Sequence, residues 1–348
     1  MRLLPIAAAL VIAGCATVPG PLPPVPSITD RDLRPILTEL SGDKFEGRMA
    51  GTPGEAKTIA YIADRFRSAG LSSGSSGPTP FLDPFTVTAR PAPKEPNATP
   101  QGEFMTLAAR LGSFTSHNVV GVARGGRPDG KAVLLMAHWD HLGSCAPKAA
   151  DKICNGAVDN ASGVAAMIAV AEQVARLGLD RDVWFVATSA EEWGLLGARA
   201  FADRPPLSLA SIVAGFNLDM IAVAPSGASV AMVAPPHSRL EALISQSTAA
   251  LGRTWDGDRE ADHFLHRQDG WVLAERGVPM VMVGGSFSDM ARLWRFIGSR
   301  YHGPADELRP DTDLGGAVDD ANLHLELVRR AASRGFRPPQ NRALRTDR

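Results

Sequence analysis

Side chains of metal-ligand type follow three apolar runs in this 348-residue chain. In chain order they are His138 after Ala132–Ala137, Glu191 and Glu192 after Val183–Ala187, and Asp219 after Ile212–Leu218. Asp159 lies between the first two, within residues 155–163. Carboxylates and an imidazole that are brought together can hold two divalent cations, with one carboxylate shared between them. The pattern therefore predicts a metallohydrolase in which Asp159 is the shared group.

A second histidine, His302, lies near the end of the chain in the loop Tyr301–Asp306. This loop precedes the last predicted helix and can fold back over the same edge of the protein. Two histidines with several carboxylates suit zinc or a similar divalent ion, whereas calcium sites use oxygen ligands. We therefore expect two divalent cations as cofactors, with Zn²⁺ as the first choice.

Each of these residues also has a structural interpretation when it is taken alone. Asp159 and Asp219 could be helix N-caps, and Glu191 and Glu192 could be a solvated pair that opens a helix. His141 lies inside the first motif, yet no feature of the sequence requires it to contact a metal. For His141 we expect a hydrogen bond at the rim of the site.

The apolar runs also predict the fold. Uninterrupted runs of this kind are typical of parallel strands that are buried on both faces, and a further run covers Val278–Val283. Helical patterns lie between the runs, while Ser116–Val122 and the proline-broken segment Phe81–Pro100 have strand character. This alternation predicts a three-layer α/β/α sandwich with a central mixed, mostly parallel sheet. Sites in such sheets form beyond the carboxyl ends of the strands.

Five motifs then point to a known family. They are His138-Trp139-Asp140-His141-Leu142-Gly143, Asp159-Asn160-Ala161-Ser162-Gly163, Glu191-Glu192-Trp193-Gly194, Asn217-Leu218-Asp219-Met220 and Tyr301-His302. In order and spacing they resemble the co-catalytic di-zinc exopeptidases. That group includes secreted bacterial leucine aminopeptidases, glutamate carboxypeptidase II, glutaminyl cyclases and the transferrin receptor. The resemblance runs from about Asp32 to Ala332.

The resemblance implies a ligand set for two metal ions. Asp159 would bridge both ions, and His138 and Asp219 would complete the shell of one. Glu192 and His302 would complete the shell of the other.

The resemblance also implies catalytic roles. Glu191 would take a proton from the metal-bridging water and return it to the leaving amine. Tyr301 would stabilise the oxyanion of the tetrahedral intermediate, and Asp140 would hydrogen-bond the free ring nitrogen of His138. In such relatives the peptide bond after the bridging aspartate is cis, so we expect a cis bond between Asp159 and Asn160.

The sequence offers few candidates for residues that bind the substrate. Arg267 and Asp269 match an Arg-x-Asp element of the family and are candidates for the wall of the substrate pocket, whereas Arg48 is expected to be a buried structural arginine. The implied activity is that of a zinc-dependent aminopeptidase acting on peptides. A carboxypeptidase or dipeptidase, a glutaminyl cyclase and a non-catalytic binding lipoprotein remain alternatives.

The N-terminus predicts an export signal. Arg2 precedes an apolar run that ends at Cys15, and residues 1–14 resemble a bacterial lipoprotein signal peptide. This predicts cleavage before Cys15, lipid on its thiol and an anchor in the cell envelope, with the outer membrane favoured by Ala16. Residues 15–27 would form a Pro-rich linker, 28–338 a single metallopeptidase domain and 339–348 a tail. An ordinary secretory signal is the alternative.

The two remaining cysteines, Cys145 and Cys154, flank a polar loop. In an exported chain such a pair predicts a disulfide that fixes the loop between His138 and Asp159, with two free thiols as the alternative.

Composition limits the partners. The formal net charge of −1, from 36 basic and 37 acidic residues, argues against a nucleic-acid surface or a polybasic membrane patch. Small molecules and peptides are the expected partners, and the sequence does not indicate an oligomeric state.

Overall fold

The computed structural model describes residues 27–88, 112–146, 148–235 and 240–337, together with residue 109. The predicted signal peptide, Cys15, nearly all of the predicted linker and the C-terminal tail lie outside these residues, so those predictions stay untested. None of the helices formed by the described residues is long and apolar enough to cross a membrane.

Eight strands form one sheet. They are β1 Ser72–Ser73, β2 Leu82–Val87, β3 Phe114–Ala123, β4 Ala132–His138, β5 Asp182–Thr188, β6 Ile212–Asn217, β7 Ala231–Val233 and β8 Met280–Gly284. The strand order is β1-β3-β5-β4-β6-β8-β7, and β2 also pairs with β3. Strands β5, β4, β6 and β8 are parallel, whereas β1, β2, β3 and β7 pair in antiparallel fashion at the two sides. The predicted mixed sheet with a parallel centre is confirmed.

Eight helices accompany the sheet in the described part of the chain. They are α1 Asp30–Leu40, α2 Pro53–Ser68, α3 Gly163–Leu177, α4 Leu196–Asp203, α5 Glu241–Ala250, α6 Asp269–Ala274, α7 Met290–Ile297 and α8 Gly315–Ala331. Short 3₁₀ segments lie between some of these elements.

The sheet is buried on both faces, as the uninterrupted apolar runs predict. Alternate residues of β4 enter different cores, because successive side chains of a strand point to opposite faces. Val133 and Leu135 belong to the larger core, which also contains side chains of α1, α2, α3 and α8. Leu134 and Met136 belong to the smaller core with side chains of α4 and α6. The result is the three-layer α/β/α sandwich.

Residues at the ends of helices α1 and α3 explain where these helices begin and end. Thr29 precedes α1, and its hydroxyl and backbone N–H both contact the Asp32 carboxylate, at 2.7 and 2.8 Å. Four apolar side chains of α1 face the larger core: Leu33, Ile36, Leu37 and Leu40. Helix α3 ends at Gly178, whose φ of +57° suits a residue without a Cβ.

Four elements were not predicted by the sequence patterns, and the two-residue strand β1 is one of them. Helices α6 and α7 have six and eight residues, and β7 has three. A periodic pattern needs more residues than these to become distinct. Helix α7 leads into Tyr301 and His302, so one of the missed elements positions a predicted part of the site.

Candidate metal centre

The parallel strands deliver the predicted ligands to one edge of the sheet. His138 is the last residue of β4, and Asp219 comes two residues after β6. Glu191 and Glu192 lie in the turn that follows β5. The strands are parallel and adjacent, so their carboxyl ends meet at this edge. The loop that carries His302 reaches the same place.

The turn that carries Asp159 is held from two sides. The Asp306 carboxylate accepts the backbone N–H groups of Val158 and Asp159 at 3.0 Å. The amide of Asn160 donates to the carbonyl of Leu218 at 2.9 Å, next to Asp219. The Asp159–Asn160 peptide bond is cis, as the resemblance implies.

Asp159 lies between two groups of donors, with one oxygen toward each. Its Oδ1 is 3.3 Å from Nε2 of His138, which is 3.6 Å from Oδ1 of Asp219. Its Oδ2 is 3.2 Å from Nε2 of His302, which is 3.2 Å from Oε2 of Glu192. The structure thus brings together all five residues that the sequence predicts as metal ligands.

These separations fit side chains that surround a cation. Zinc–nitrogen and zinc–oxygen bonds of about 2.0–2.2 Å in a tetrahedral shell place two ligand atoms about 3.4 Å apart. Several of the buried atoms have no hydrogen-bond partner, among them Asp159 Oδ2, Glu192 Oε1, Asp219 Oδ1 and His302 Nε2. A buried polar atom without a partner is costly unless something else contacts it. The donor set therefore fits divalent ions of the zinc type.

Two sets among the described residues have ligand atoms close enough to hold an ion. One is His138, Asp159 and Asp219, and the other is His141, Asp159 and Glu192. The second set contains a histidine that the sequence analysis assigned to the rim. It is found with His302 on the same side of Asp159.

The carboxylates and imidazoles of the centre shift one another's pKa values. Burial alone would raise the pKa of the Asp159 carboxyl, but the imidazoles of His138 and His302 hold it well below its usual range. Burial would also raise the pKa of the Glu192 carboxyl, but the charge of His302 acts in the opposite direction, and the pKa is lowered to about 2. Burial would lower the pKa of His302, yet the neighbouring carboxylates raise it to about 10. Such a cluster of carboxylates attracts cations.

Glu191 differs from the ligand-type carboxylates. Burial, reinforced by the charges of Glu192, Asp269 and Asp219, raises the pKa of its carboxyl well above the ordinary value, although His138 acts in the opposite direction. A carboxyl with a raised pKa can both accept and return a proton near neutral pH. This environment suits a general base beside the ligands.

Asp140 contacts a different partner from the one the sequence predicts. Its carboxylate is 3.8 Å from Nδ1 of His138, beyond hydrogen-bond distance, and its backbone carbonyl lies 3.1 Å from that nitrogen instead. The carboxylate accepts the backbone N–H groups of Glu191 at 3.1 Å and Glu192 at 3.4 Å. Burial raises the pKa of the Asp140 carboxyl to about 8. Asp140 therefore orients His138 through its main chain and the glutamate turn through its side chain.

Tyr301 lies beside the centre. Its ring stacks on that of His302 with centroids 3.7 Å apart and planes at 19°. Burial raises the pKa of its phenol well above the ordinary value, with further contributions from the Asp159 and Glu192 charges. The hydroxyl therefore stays protonated and can donate a hydrogen bond.

The two predicted substrate residues occupy different environments. Asp269 is buried at the start of α6, where the hydroxyl of Thr188 donates to one of its oxygens, and burial raises its pKa to about 6. Arg267 is exposed, and its guanidinium lies 5.5 Å from the ring centroid of Phe264. Their assignment to a substrate wall stays a prediction.

Arg48 and the disulfide support the centre, and both agree with the sequence analysis. Arg48 is buried and donates to four backbone carbonyls, at 2.6–3.0 Å. These are the carbonyls of Leu40, Trp139, Asn155 and Gly156, so the guanidinium joins the ends of α1, β4 and the Asp159 turn. Cys145 and Cys154 form a disulfide across the loop between β4 and that turn.

Residues 118–326 match peptidase family M28. The chain belongs to this family. The matched region includes every predicted metal ligand and Glu191.

Relatives of this M28 member agree with the assignment. It is 30% identical over 168 residues to the alkaline phosphatase isozyme conversion protein of Escherichia coli (strain K12), covering 46% of this chain and 42% of that protein. It is 32% identical over 111 residues to aminopeptidase YwaD of Bacillus subtilis (strain 168), covering 31% and 22%. The chain thus spans less than half the length of either relative.

The fold of this M28 member occurs among solved structures. The aminopeptidase from Aneurinibacillus sp. strain AM-1 superimposes with a TM-score of 0.65 at 18% identity, over 90% of this chain and 95% of that one. At this level of identity the likeness concerns the fold.

Proposed function

We propose that this M28 member is a zinc-dependent exopeptidase that holds two ions and releases N-terminal residues from peptides. One observation carries the proposal. The two oxygens of Asp159 each face a separate pair of ligand-type side chains, His138 with Asp219 and His302 with Glu192.

The chemistry divides between the ions and the chain. Divalent ions, which His138, Asp159, Asp219, Glu192 and His302 would hold, would polarise the scissile carbonyl and lower the pKa of the attacking water. Glu191 accepts a proton from that water and delivers it to the nitrogen of the leaving amine, which must be protonated to depart. The phenol of Tyr301 donates a hydrogen bond to the developing oxyanion. Asp140 holds the Glu191 backbone, so the base stays in place during both transfers.

The charge of the site supports release from the N-terminus. The carboxyl groups of Glu191, Asp219 and Asp269 influence one another electrostatically, Asp219 and Asp269 are buried, and an α-ammonium group would complement their charge. The carboxylates of the centre favour the charged form of the Arg48 guanidinium. This guanidinium is buried, however, and donates hydrogen bonds to four backbone carbonyls. It is therefore not free to bind a C-terminal carboxylate, as a carboxypeptidase would require.

The test uses the purified full chain and three peptides that share one sequence apart from their ends. The first has a free amine and an amidated C-terminus, the second has an acetylated amine and a free C-terminus, and the third begins with glutamine. Mass spectrometry should show stepwise shortening of the first and third peptides from their free N-termini and none of the acetylated peptide, with the activity lost on chelation and restored by Zn²⁺. Shortening of the acetylated peptide would indicate a carboxypeptidase. Loss of ammonia without shortening would indicate a glutaminyl cyclase, and no product would favour a binding protein.

We also propose that Cys15 carries a lipid that anchors the domain in the outer membrane of the cell envelope. The support is the apolar run that ends at this cysteine. Labelling of cells with radioactive palmitate should mark the wild-type protein and leave Cys15→Ser unmarked. Equal labelling of both proteins would contradict the anchor.

A further inference from the structure

His141 lies three residues after His138 and is fully buried. Its backbone N–H donates to the carbonyl of Arg48 at 3.3 Å, which fixes the main chain at this point. The ring is confined as well, because a Cβ placed on Gly156 would approach its Cδ2 atom to 2.5 Å. The imidazole is therefore packed closely against the main chain at Gly156.

The ring of His141 faces the donors on one side of Asp159. Nδ1 of His141 is 3.0 Å from Oε1 of Glu192 and 3.8 Å from Oδ2 of Asp159. His302 approaches the other oxygen of Glu192 and the same oxygen of Asp159. The rings of His141 and His302 meet edge to face, with centroids 5.7 Å apart. Two histidines thus converge on the same pair of carboxylates.

The close approach of His141 to Glu192 is not a well-formed hydrogen bond. Neither ring nitrogen of His141 has a hydrogen-bond partner, and neither does Oε1 of Glu192. Buried polar atoms that lie 3 Å apart without alignment are expected when both point at a third atom. Ligands of one tetrahedral zinc ion have separations of about 3.4 Å.

We propose that His141 is a fourth protein ligand of the ion on the Glu192 side. This proposal rests on the proposed two-ion function. That position then has two imidazoles and two carboxylates, from His141, His302, Glu192 and Asp159. The other position has three protein ligands, from His138, Asp159 and Asp219.

The proposal makes the two positions unequal. Four protein ligands form a closed tetrahedral shell of the kind found in structural zinc sites, whereas three leave a position open for water or substrate. The ion beside His141 should therefore be held more tightly and exchange more slowly. The ion beside His138 should be the one that takes the substrate, and it should be lost first on dilution or chelation.

The test is a titration of the full-length, chelator-treated protein with Zn²⁺ alone, followed by calorimetry. Wild type should bind two equivalents, the first more tightly. His141→Gln should weaken the tight equivalent by more than about 100-fold, since the loss of an outer-shell partner alone costs about 10–100-fold. His302→Gln should affect the same equivalent, and His138→Gln should affect the other. The exposed His263→Gln is the matched control and should bind as wild type does.

The outcomes separate this inference from the proposed function. Two normal equivalents in folded His141→Gln, with one lost in His302→Gln, would overturn the role of His141 alone. Wild type that binds no zinc would overturn the proposed function together with the inference. If His141→Gln does not fold, X-ray absorption on the zinc-loaded wild type decides the question without a variant. Three imidazoles shared by two ions would support the proposal, and two would contradict it.

Discussion

The carboxylate of Asp140 accepts the backbone N–H of Glu191 at 3.1 Å, while the backbone carbonyl of Asp140 contacts the ring of His138. One residue therefore positions the proposed base with its side chain and a proposed ligand with its main chain. The two roles can be separated by mutation.

Asp140→Asn should lower kcat by about 10–100-fold while the protein keeps its zinc. The variant places an amide where one carboxylate oxygen accepts N–H groups, so the turn of Glu191 should shift. The carbonyl that contacts His138 is unchanged. Steady-state kinetics and metal analysis check this together, and loss of zinc with unchanged kcat per bound ion would favour a side-chain role at His138 instead.

Glu191→Gln should lower kcat by about a hundred- to ten-thousand-fold, which is the usual contribution of a general acid–base group. Its zinc content should equal that of wild type, since Glu191 is not among the proposed ligands. Glu192→Gln is the matched neighbour and should weaken zinc binding. A Glu191→Gln enzyme with wild-type kcat would show that another group moves the proton.

Arg48→Met should lower the free energy of unfolding by about 3–5 kcal/mol, because several buried carbonyls lose their charged donor. Arg67→Met is the control, since Arg67 is exposed and contacts the carboxylate of Asp64 on the same helix and the ring of Phe81, without a bond to a buried carbonyl. Its effect should be within about 0.5 kcal/mol. Denaturant unfolding of the chelated proteins measures both. Equal effects of the two substitutions would contradict the assigned role of Arg48.

His324 should make the stability of the protein depend on pH. Burial lowers the pKa of this histidine from 6.5 to about 4, so below pH 6.5 the unfolded chain binds a proton that the folded chain does not. Its contribution to stability is therefore intact above pH 6.5 and falls as the pH drops toward 4. Relative to His324→Asn, wild type should lose about 2 kcal/mol between about pH 7 and pH 5. The exposed His263→Asn is the matched control, and a constant difference between wild type and His324→Asn would contradict the prediction.

The sequence was most informative where long patterns and strand ends coincide. The four apolar runs became β4, β5, β6 and β8, and the residues that follow them meet at one edge of the sheet. Parallel pairing makes that convergence a consequence of topology. This is why the positions of His138, Glu192 and Asp219 could be predicted together.

Other features depend on contacts that cannot be inferred from the spacing of residues along the chain. The spacing of His138 and Asp140 does not reveal whether the ring of His138 contacts the carboxylate or the backbone carbonyl of Asp140. The Asp306 carboxylate supports Asp159 from a residue 147 positions away, and no local pattern marks that pairing. The sequence places His141 at the rim, because a second histidine in one motif does not reveal which way its ring points. Its burial and its distance to Glu192 appear only in the folded chain.

The central claim is that two ions share Asp159. Anomalous diffraction from crystals of the zinc-loaded protein, recorded on both sides of the zinc absorption edge, measures this directly. The account predicts two peaks about 3.5–4 Å apart, one between Asp159 and His138 and one between Asp159 and His302. A single peak, or peaks away from Asp159, would contradict it.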